Sequence, residues 1–183
     1  MIIGITGTLG AGKGTVAEYL VEKGFKHYSV REFLTKEVKK RNLPLNRDSL
    51  VNVANELRKN HSPSYIVEKL FDIAKENNEN CIIESIRTEG EVISLQKKGG
   101  IILSIDADPK IRFERIIKRG SVTDNISFEK FIEDEKREMN NNDPNKQNLS
   151  KCIELANYKI ENNKSINDLY KEIDKVIEDG KTK

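Results

Sequence analysis

The sequence predicts a three-layer α/β fold in which a five-stranded parallel sheet lies between helices. Three observations carry that expectation. Short apolar runs alternate with stretches of helical periodicity along the whole chain. The run Ile101–Ile105, IILSI, is apolar but for Ser104, as in a parallel strand covered on both faces. A glycine-rich stretch, GITGTLGAGKGT at Gly4–Thr15, joins the first apolar run to the first helical pattern.

Ile2–Ile5 reads as a short buried strand. A helix starts inside the glycine loop and runs to about Lys23, with Val16, Leu20 and Val21 inward, and Gly24 stops it. Phe25–Tyr28 is a second strand. Val30–Arg41 is helical and ends before Leu43-Pro44. Asn46–Asn60 carries Leu50, Val53, Ala54 and Leu57 at helical spacing. Ser62-Pro63 caps a further helix with proline in its first position, and Ile66, Leu70, Phe71 and Ala74 form its buried face. Cys81–Ile86 is the third strand. A helix from about Glu89 ends before Gly99-Gly100, and Ile101–Ile105 is the fourth strand. Asp108-Pro109 opens the next helix, 120–125 is a loop, and Ser127–Met139 is helical again. The polar stretch NNNDPNKQN, Asn140–Asn148, is a loop. Ala156–Ile160 is the last strand. Ser165 caps a terminal helix with Ile166, Leu169, Tyr170, Ile173 and Ile177 inward. Ligands of such a sheet lie beyond the carboxyl ends of its strands.

The 183 residues suffice for one domain with a real core, expected over 1–183. Charged residues make up 34% of the chain, but the net charge is only +2, a weak bulk case for nucleic acid. Any anionic partner must be held by local clusters. No apolar run approaches the roughly 20 residues of a membrane span. The apolar first residues lead straight into the glycine loop, unlike a signal peptide. Cys81 and Cys152 lack metal-ligand spacing and read as reduced thiols of a cytoplasmic protein.

Gly7-x4-Gly12-Lys13 follows an expected strand and opens an expected helix, the context that a phosphate-binding loop demands. The backbone of Gly10, Ala11, Gly12, Lys13, Gly14 and Thr15 can curl round an anion, and the helix N-terminus adds a positive dipole end. Lys13 can reach the β and γ phosphates of ATP. In the common form of the loop a hydroxyl directly after the lysine binds Mg²⁺; here Gly14 stands there and the hydroxyl comes at Thr15. A metal at such a site is held by phosphate oxygens, waters and few protein ligands.

Arg87 ends the run CIIESIRT, at a strand end that faces the cleft. It can clamp a phosphate bidentately, or pair with Glu84 or Glu89. Arg112, Arg115 and Arg119 fall on one helix face, which is either a phosphate-directed surface or a solvated basic one. Arg31, Arg47 and Arg58 come from the helical stretch after the second strand, where at least one is expected to meet a second substrate. His27 and His61 have no metal or triad pattern around them, and phosphoryl transfer needs little general base. Asp106 and Asp108 follow the fourth strand as helix caps, with Asp106 a reserve Mg²⁺ acid.

GAGKGT resembles the G-x-G-K-G-T loop of the adenylate kinase group of nucleoside monophosphate kinases. CIIESIRT resembles that group's D-G-F-P-R-T segment, without the Gly-Phe-Pro. The resemblance implies that Arg87 grips the acceptor phosphate and that Glu84 sits near Mg²⁺ with Thr15. ERIIKR resembles the D-R-I-x-x-R lid entry, which implies catalytic roles for Arg115 and Arg119 on the transferring phosphoryl. HYSVREF occupies the place of the S-T-G-D-x-x-R segment, implying acceptor contacts for Ser29, Arg31 and Arg58. The tail IELANYKIENNKSINDL resembles the A-D-x-x-I-x-N tail of dephospho-coenzyme A kinases. The pattern is also similar to kinase-like domains found beside deoxycytidylate deaminases, a pointer to deoxynucleotides.

The resemblance implies a P-loop kinase that moves the γ-phosphoryl of Mg-ATP to a (deoxy)nucleoside monophosphate. A helical acceptor-binding region would lie at about 29–77 and a short lid at about 115–137. Partners would be small nucleotides, with no nucleic acid and no membrane, and the assembly a monomer or weak dimer. The rival readings are a dephospho-coenzyme A kinase-like enzyme and a non-catalytic ATP-binding regulator. A GTPase fits less well: Asn163-Lys164-Ser165-Ile166 lacks the acid of N-K-x-D, and no D-x-x-G follows a strand.

Overall fold

A computed structural model describes residues 1–120 and 126–181. Within them the strands β1 (Ile2–Gly7), β2 (Lys26–Ser29), β3 (Cys81–Glu84), β4 (Ile101–Asp106) and β5 (Tyr158–Glu161) form one sheet in the order β2-β3-β1-β4-β5. Every pairing is parallel, so each crossover must run over a sheet face, and helices cover both.

One face is covered by α1 (Lys13–Glu22) and α9 (Ile166–Lys181). There Val16, Ala17 and Leu20 pack on Ile3, Ile5, Ile82, Leu103 and Ile105. The other face is covered by α2 (Val30–Lys40), α3 (Arg47–Asn60), α4 (Tyr65–Glu76), α5 (Glu89–Lys97) and α8 (Leu149–Glu154). Adjacent strand residues alternate between the faces: Ile82 goes to the first, Cys81 and Ile83 to the second. Gly4 lets α5 approach the central strand, since a Cβ there would stand 2.4 Å from Ile86 Cδ1 and 2.6 Å from Leu95 Cδ2. The remaining helices, α6 (Pro109–Arg119) and α7 (Phe128–Met139), lie between β4 and β5 in sequence. The helices leaving β1 and β3 depart to opposite faces, which opens a crevice at the carboxyl ends of these neighbouring strands.

The expected α/β architecture and its five parallel strands are present. Several local expectations need correction. Val21 is 46% exposed because it lies past the inward stripe of Val16, Ala17 and Leu20. Ile166 is 52% exposed, at the first turn of α9 and ahead of its buried stripe Leu169, Ile173, Val176 and Ile177. Pro63 does not open α4, which starts two residues later; its carbonyl accepts a hydrogen bond from Thr88 Oγ1 at 3.0 Å. Helix α8 was not anticipated, because an apolar pair, Leu149 and Cys152, is too short a pattern to read. Most of the expected 120–125 loop, and with it part of the lid stretch, falls outside the described residues. Both cysteines are free and buried, and burial pushes their thiols up, Cys81 to about 11 and Cys152 to about 12. No helix among the described residues is long and apolar enough to cross a membrane.

Candidate active site

The loop from Gly7 to Gly12 turns through glycines at φ 130° (Gly7), 79° (Gly10) and 100° (Gly12). Each is also hemmed in. A Cβ at Gly7 would lie 1.9 Å from the Ile105 carbonyl oxygen, one at Gly10 2.5 Å from that of Arg112, and one at Gly12 2.5 Å from Asn162 Nδ2. The loop is therefore a backbone cradle that only glycine can trace. It is braced from outside as well. Thr8 Oγ1 donates to Asp106, Arg112 Nη1 donates to the Leu9 carbonyl at 3.2 Å, and Asn162 Nδ2 to the Ala11 carbonyl at 2.8 Å. Gly14 differs: it is exposed and a Cβ there meets nothing within 4 Å.

Lys13 opens α1 and is buried. Its ammonium donates to the Gly7 carbonyl at 3.0 Å and the Thr8 carbonyl at 2.6 Å. Burial pushes its pKa down to about 7, and the positive charge of Arg87 acts the same way, against the carboxylates of Glu84 and Glu138. Such a lysine waits for an anion to restore its charge.

Glu84 ends β3 and accepts from His27 Nε2 at 3.5 Å. Burial raises the Glu84 pKa, but the His27 hydrogen bond and the Lys13 charge outweigh it and leave the carboxyl below its ordinary value. The Glu84 hydrogen bond raises His27, so this histidine is not isolated, as its sequence surroundings had implied. His61 instead stacks on Tyr65 with ring centroids 4.0 Å apart. Thr15 is half-buried on the first turn of α1. Asp106 is committed to the loop: it takes Thr8 Oγ1 and the Ala107 N–H, and stands 3.5 Å from Arg112 Nε.

Beside the loop lies a cavity of about 270 Å³ with Leu9 on its wall. Arg31, Arg47, Arg58, Arg87 and Arg119 line it against one carboxylate among the described residues, Glu138, while Val30, Leu34 and Leu50 supply an apolar side. Ser85 lines it too, at φ 76°, a left-handed conformation uncommon outside glycine. The Ser85 and Ile86 N–H groups both reach the Ile5 carbonyl at 3.1 Å, which bends the chain at the end of β3 and turns Arg87 towards the cavity.

The structure distributes the other expected residues as follows. Ser29 caps α2, accepting from the Glu32 N–H at 3.3 Å, and Arg31 follows on the exposed first turn. Arg58 is 2% exposed; its Nε and Nη2 donate to Glu91 Oε1 at 3.1 and 2.8 Å, and Nη1 has no partner among the described residues. Arg115 turns away from the cavity towards the loop after β5, where Nη2 donates to the Asn162 carbonyl at 2.9 Å. Arg112 is buried, with Nε on the Ala107 carbonyl at 2.7 Å and its fork on Glu135.

Three residues that sequence reasoning passed over complete the site. Glu91 Oε2 accepts the N–H groups of Arg87 at 2.8 Å and Thr88 at 3.1 Å. Its signal was present as the capping box T-x-x-E at Thr88–Glu91. Glu138 on α7 pairs with both Arg47 and Arg87 and is announced by no local motif. Asn162 ties the tail to the loop, and its signal was present as the last residue of the A-D-x-x-I-x-N pattern.

Comparison with known proteins bears on the family and the fold. A family model described as AAA domain matches residues 3–143. The UPF0200 protein of Methanocaldococcus jannaschii is 31% identical over 183 residues, covering 98% of this chain and 90% of that one. The UPF0200 protein of Pyrococcus horikoshii is 29% identical and covers 97% and 96%. Among solved structures, shikimate kinase from Acinetobacter baumannii has a TM-score of 0.60 at 17% identity, covering 100% of this chain and 95% of that one. Dephospho-CoA kinase from Campylobacter jejuni has 0.55 at 18% identity, covering 97% and 95%. At these identities the likeness is one of fold, that of P-loop kinases. The chain belongs to the family described as AAA domain and to the UPF0200 proteins.

Proposed function

We propose that the protein is an ATP-dependent phosphotransferase whose acceptor is a nucleoside or deoxynucleoside monophosphate. The observation that carries the reading is the cavity against the loop, where five arginines face one carboxylate beside an apolar wall. Such a lining suits an acceptor with a phosphate at one end and a planar apolar body at the other.

In this reading the Gly10–Thr15 backbone and Lys13 hold the phosphates of ATP. The residues present fit a nucleotide with its Mg²⁺: the cradle leaves no room for a Cβ at Gly7, Gly10 or Gly12, and Thr15 on the first turn of α1 and Glu84 at the end of β3 offer oxygen ligands. The ion, when bound, neutralises charge on the phosphate oxygens. Arg87, fixed through its own N–H by Glu91, aligns the acceptor phosphate with the loop. Arg119, on the same cavity wall, neutralises charge as the phosphoryl moves, and Arg115 joins it by exchanging its contact with the Asn162 carbonyl for the phosphoryl oxygens. Arg31 and Arg58, with the Ser29 cap holding α2, shape the acceptor end.

The test is ADP release from Mg-ATP against a panel of ribo- and deoxynucleoside monophosphates and dephospho-coenzyme A. One monophosphate should stimulate turnover well above the ATP-only rate, and Lys13→Ala and Arg87→Ala should lose it. Stimulation by dephospho-coenzyme A alone would move the acceptor to that compound. Tight ATP binding with no stimulation anywhere would leave a regulator instead of an enzyme.

A further inference from the structure

We propose that Glu138 is the specificity-determining residue of the acceptor site: its carboxylate occupies the acceptor's anion position, so the site admits acceptors with a phosphate dianion and rejects carboxylates. The inference rests on the phosphotransferase reading above and deepens it.

Glu138 lies near the end of α7 and is 7% exposed. Its Oε1 takes Arg47 Nη2 and its Oε2 takes Arg87 Nη1. It therefore bridges the first residue of α3 and the arginine after β3, the two walls of the cavity beside the loop. Arg47 has a second partner, Asp134, at 3.5 Å. Gln147 Oε1 stands 3.5 Å from Arg87 Nη1. The two arginine charges hold the Glu138 carboxyl below its ordinary range, although burial opposes them. Glu138 is thus ionised and acts as an internal anion where an acceptor anion would go.

An acceptor must displace it to reach Arg87. A carboxylate acceptor exchanges one charge and two oxygens for the same, and gains nothing. A phosphate monoester brings close to two charges and three oxygens, enough to satisfy both guanidinium forks at once. The arginine pair then discriminates by the charge of what it releases against the charge of what it takes. Until that exchange, Glu138 keeps Arg47 and Arg87 from repelling each other and holds them at one spacing.

Inorganic phosphate and acetate serve as probes, titrated into the intact protein and into Glu138→Gln, Glu138→Asp and Arg87→Ala by calorimetry and thermal melting. Phosphate also suits the glycine loop, so the informative component is the one that Arg87→Ala removes. Glu138→Gln should tighten that component by roughly tenfold, and acetate should gain more than phosphate, so that the preference for phosphate narrows once the internal carboxylate is gone. In the intact protein phosphate should outbind acetate. Glu138→Asp keeps a charge but cannot span both arginines, and should shift the same way; it carries the test if Glu138→Gln does not fold. Unchanged or weaker Arg87-dependent phosphate binding in the folded variants would overturn the proposal, as would equal binding of acetate and phosphate to the intact protein. Tightening without any acceptor turning over would leave the Glu138 exchange standing and remove the kinase reading.

Discussion

Lys13 Nζ donates to the carbonyl of Thr8 at 2.6 Å, so the lysine that would hold a nucleotide closes its own loop instead. With its pKa lowered to about 7, half of these lysines are neutral near pH 7. Phosphate oxygens favour the ammonium and raise the pKa again.

Nucleotide binding should therefore take up a proton above about pH 7. Below that pH Lys13 is already charged and affinity is flat; above it, ADP affinity should fall by up to about tenfold per pH unit until the bound-state pKa is reached. Calorimetry in two buffers of different ionisation enthalpy measures the uptake directly. No uptake at pH 8 would show that the free lysine is fully charged and the burial argument wrong.

The same lysine makes the free protein less stable. In the unfolded chain Lys13 titrates at its ordinary 10.5, against about 7 when folded. Between those values the unfolded chain binds more protons, so stability rises with pH across that window and the full penalty applies below it. Lys13→Met removes the buried charge and two carbonyl contacts. It should stabilise the nucleotide-free protein at pH 7 by ~2 kcal/mol or more, raising Tm by roughly 4–8 °C, and flatten the rise towards pH 10. A lower Tm for the variant at pH 7 would mean that the contacts to Gly7 and Thr8 outweigh the burial.

Gly14 offers a cleaner substitution. It sits exposed in the first turn of α1 with nothing within 4 Å of a Cβ. Gly14→Ala should add about 0.5–1 kcal/mol through helix propensity and a smaller unfolded-state entropy. If the glycine is kept for close approach of the phosphates, ADP affinity falls in the same variant although the fold gains. A variant more stable with unchanged ADP affinity would show that the position tolerates any small residue.

How much of this was legible in sequence varies with distance along the chain. Gly7, Gly10, Gly12 and Lys13 could be read as a loop because the constraint is local: a strand, a turn and a helix in succession. The sheet followed from runs such as Ile101–Ile105, because each is too short for a helix and is bounded by turn residues, here Gly99-Gly100 and Asp108-Pro109. The arginines were visible as residue types, but not by partner. Glu138 meets Arg47 across 91 positions and Arg87 across 51; its place seven residues after the buried Phe131 puts it on the inner face of α7, away from the solvated Glu133, but names no partner. Arg115 and Arg119, one helical turn apart, diverge because the loop after β5 supplies the Asn162 carbonyl to one of them. Pro63 and Ile166 were misread at helix ends, where capping and the neighbouring element decide the last turn.

The Arg58–Glu91 pair joins the helical insertion to the arginine-bearing end of β3. Both side chains are essentially inaccessible, at 1% and 0% exposure, so each charge depends on the other. Removing one partner leaves a buried ion unpaired, an effect of about 3–5 kcal/mol, whereas removing both deletes the liability together. Glu91→Leu and Arg58→Met should each lower Tm by roughly 10 °C, and the double variant should lose clearly less than the sum. Recovery will stop short of the parent, because Glu91 also receives the Arg87 and Thr88 N–H groups at 2.8 and 3.1 Å. That remainder should appear in function: with the Arg87 backbone released, acceptor KM rises while ADP affinity holds. Strictly additive losses would show that the two charges do not depend on each other, and an unchanged acceptor KM would remove Glu91 from the positioning of Arg87.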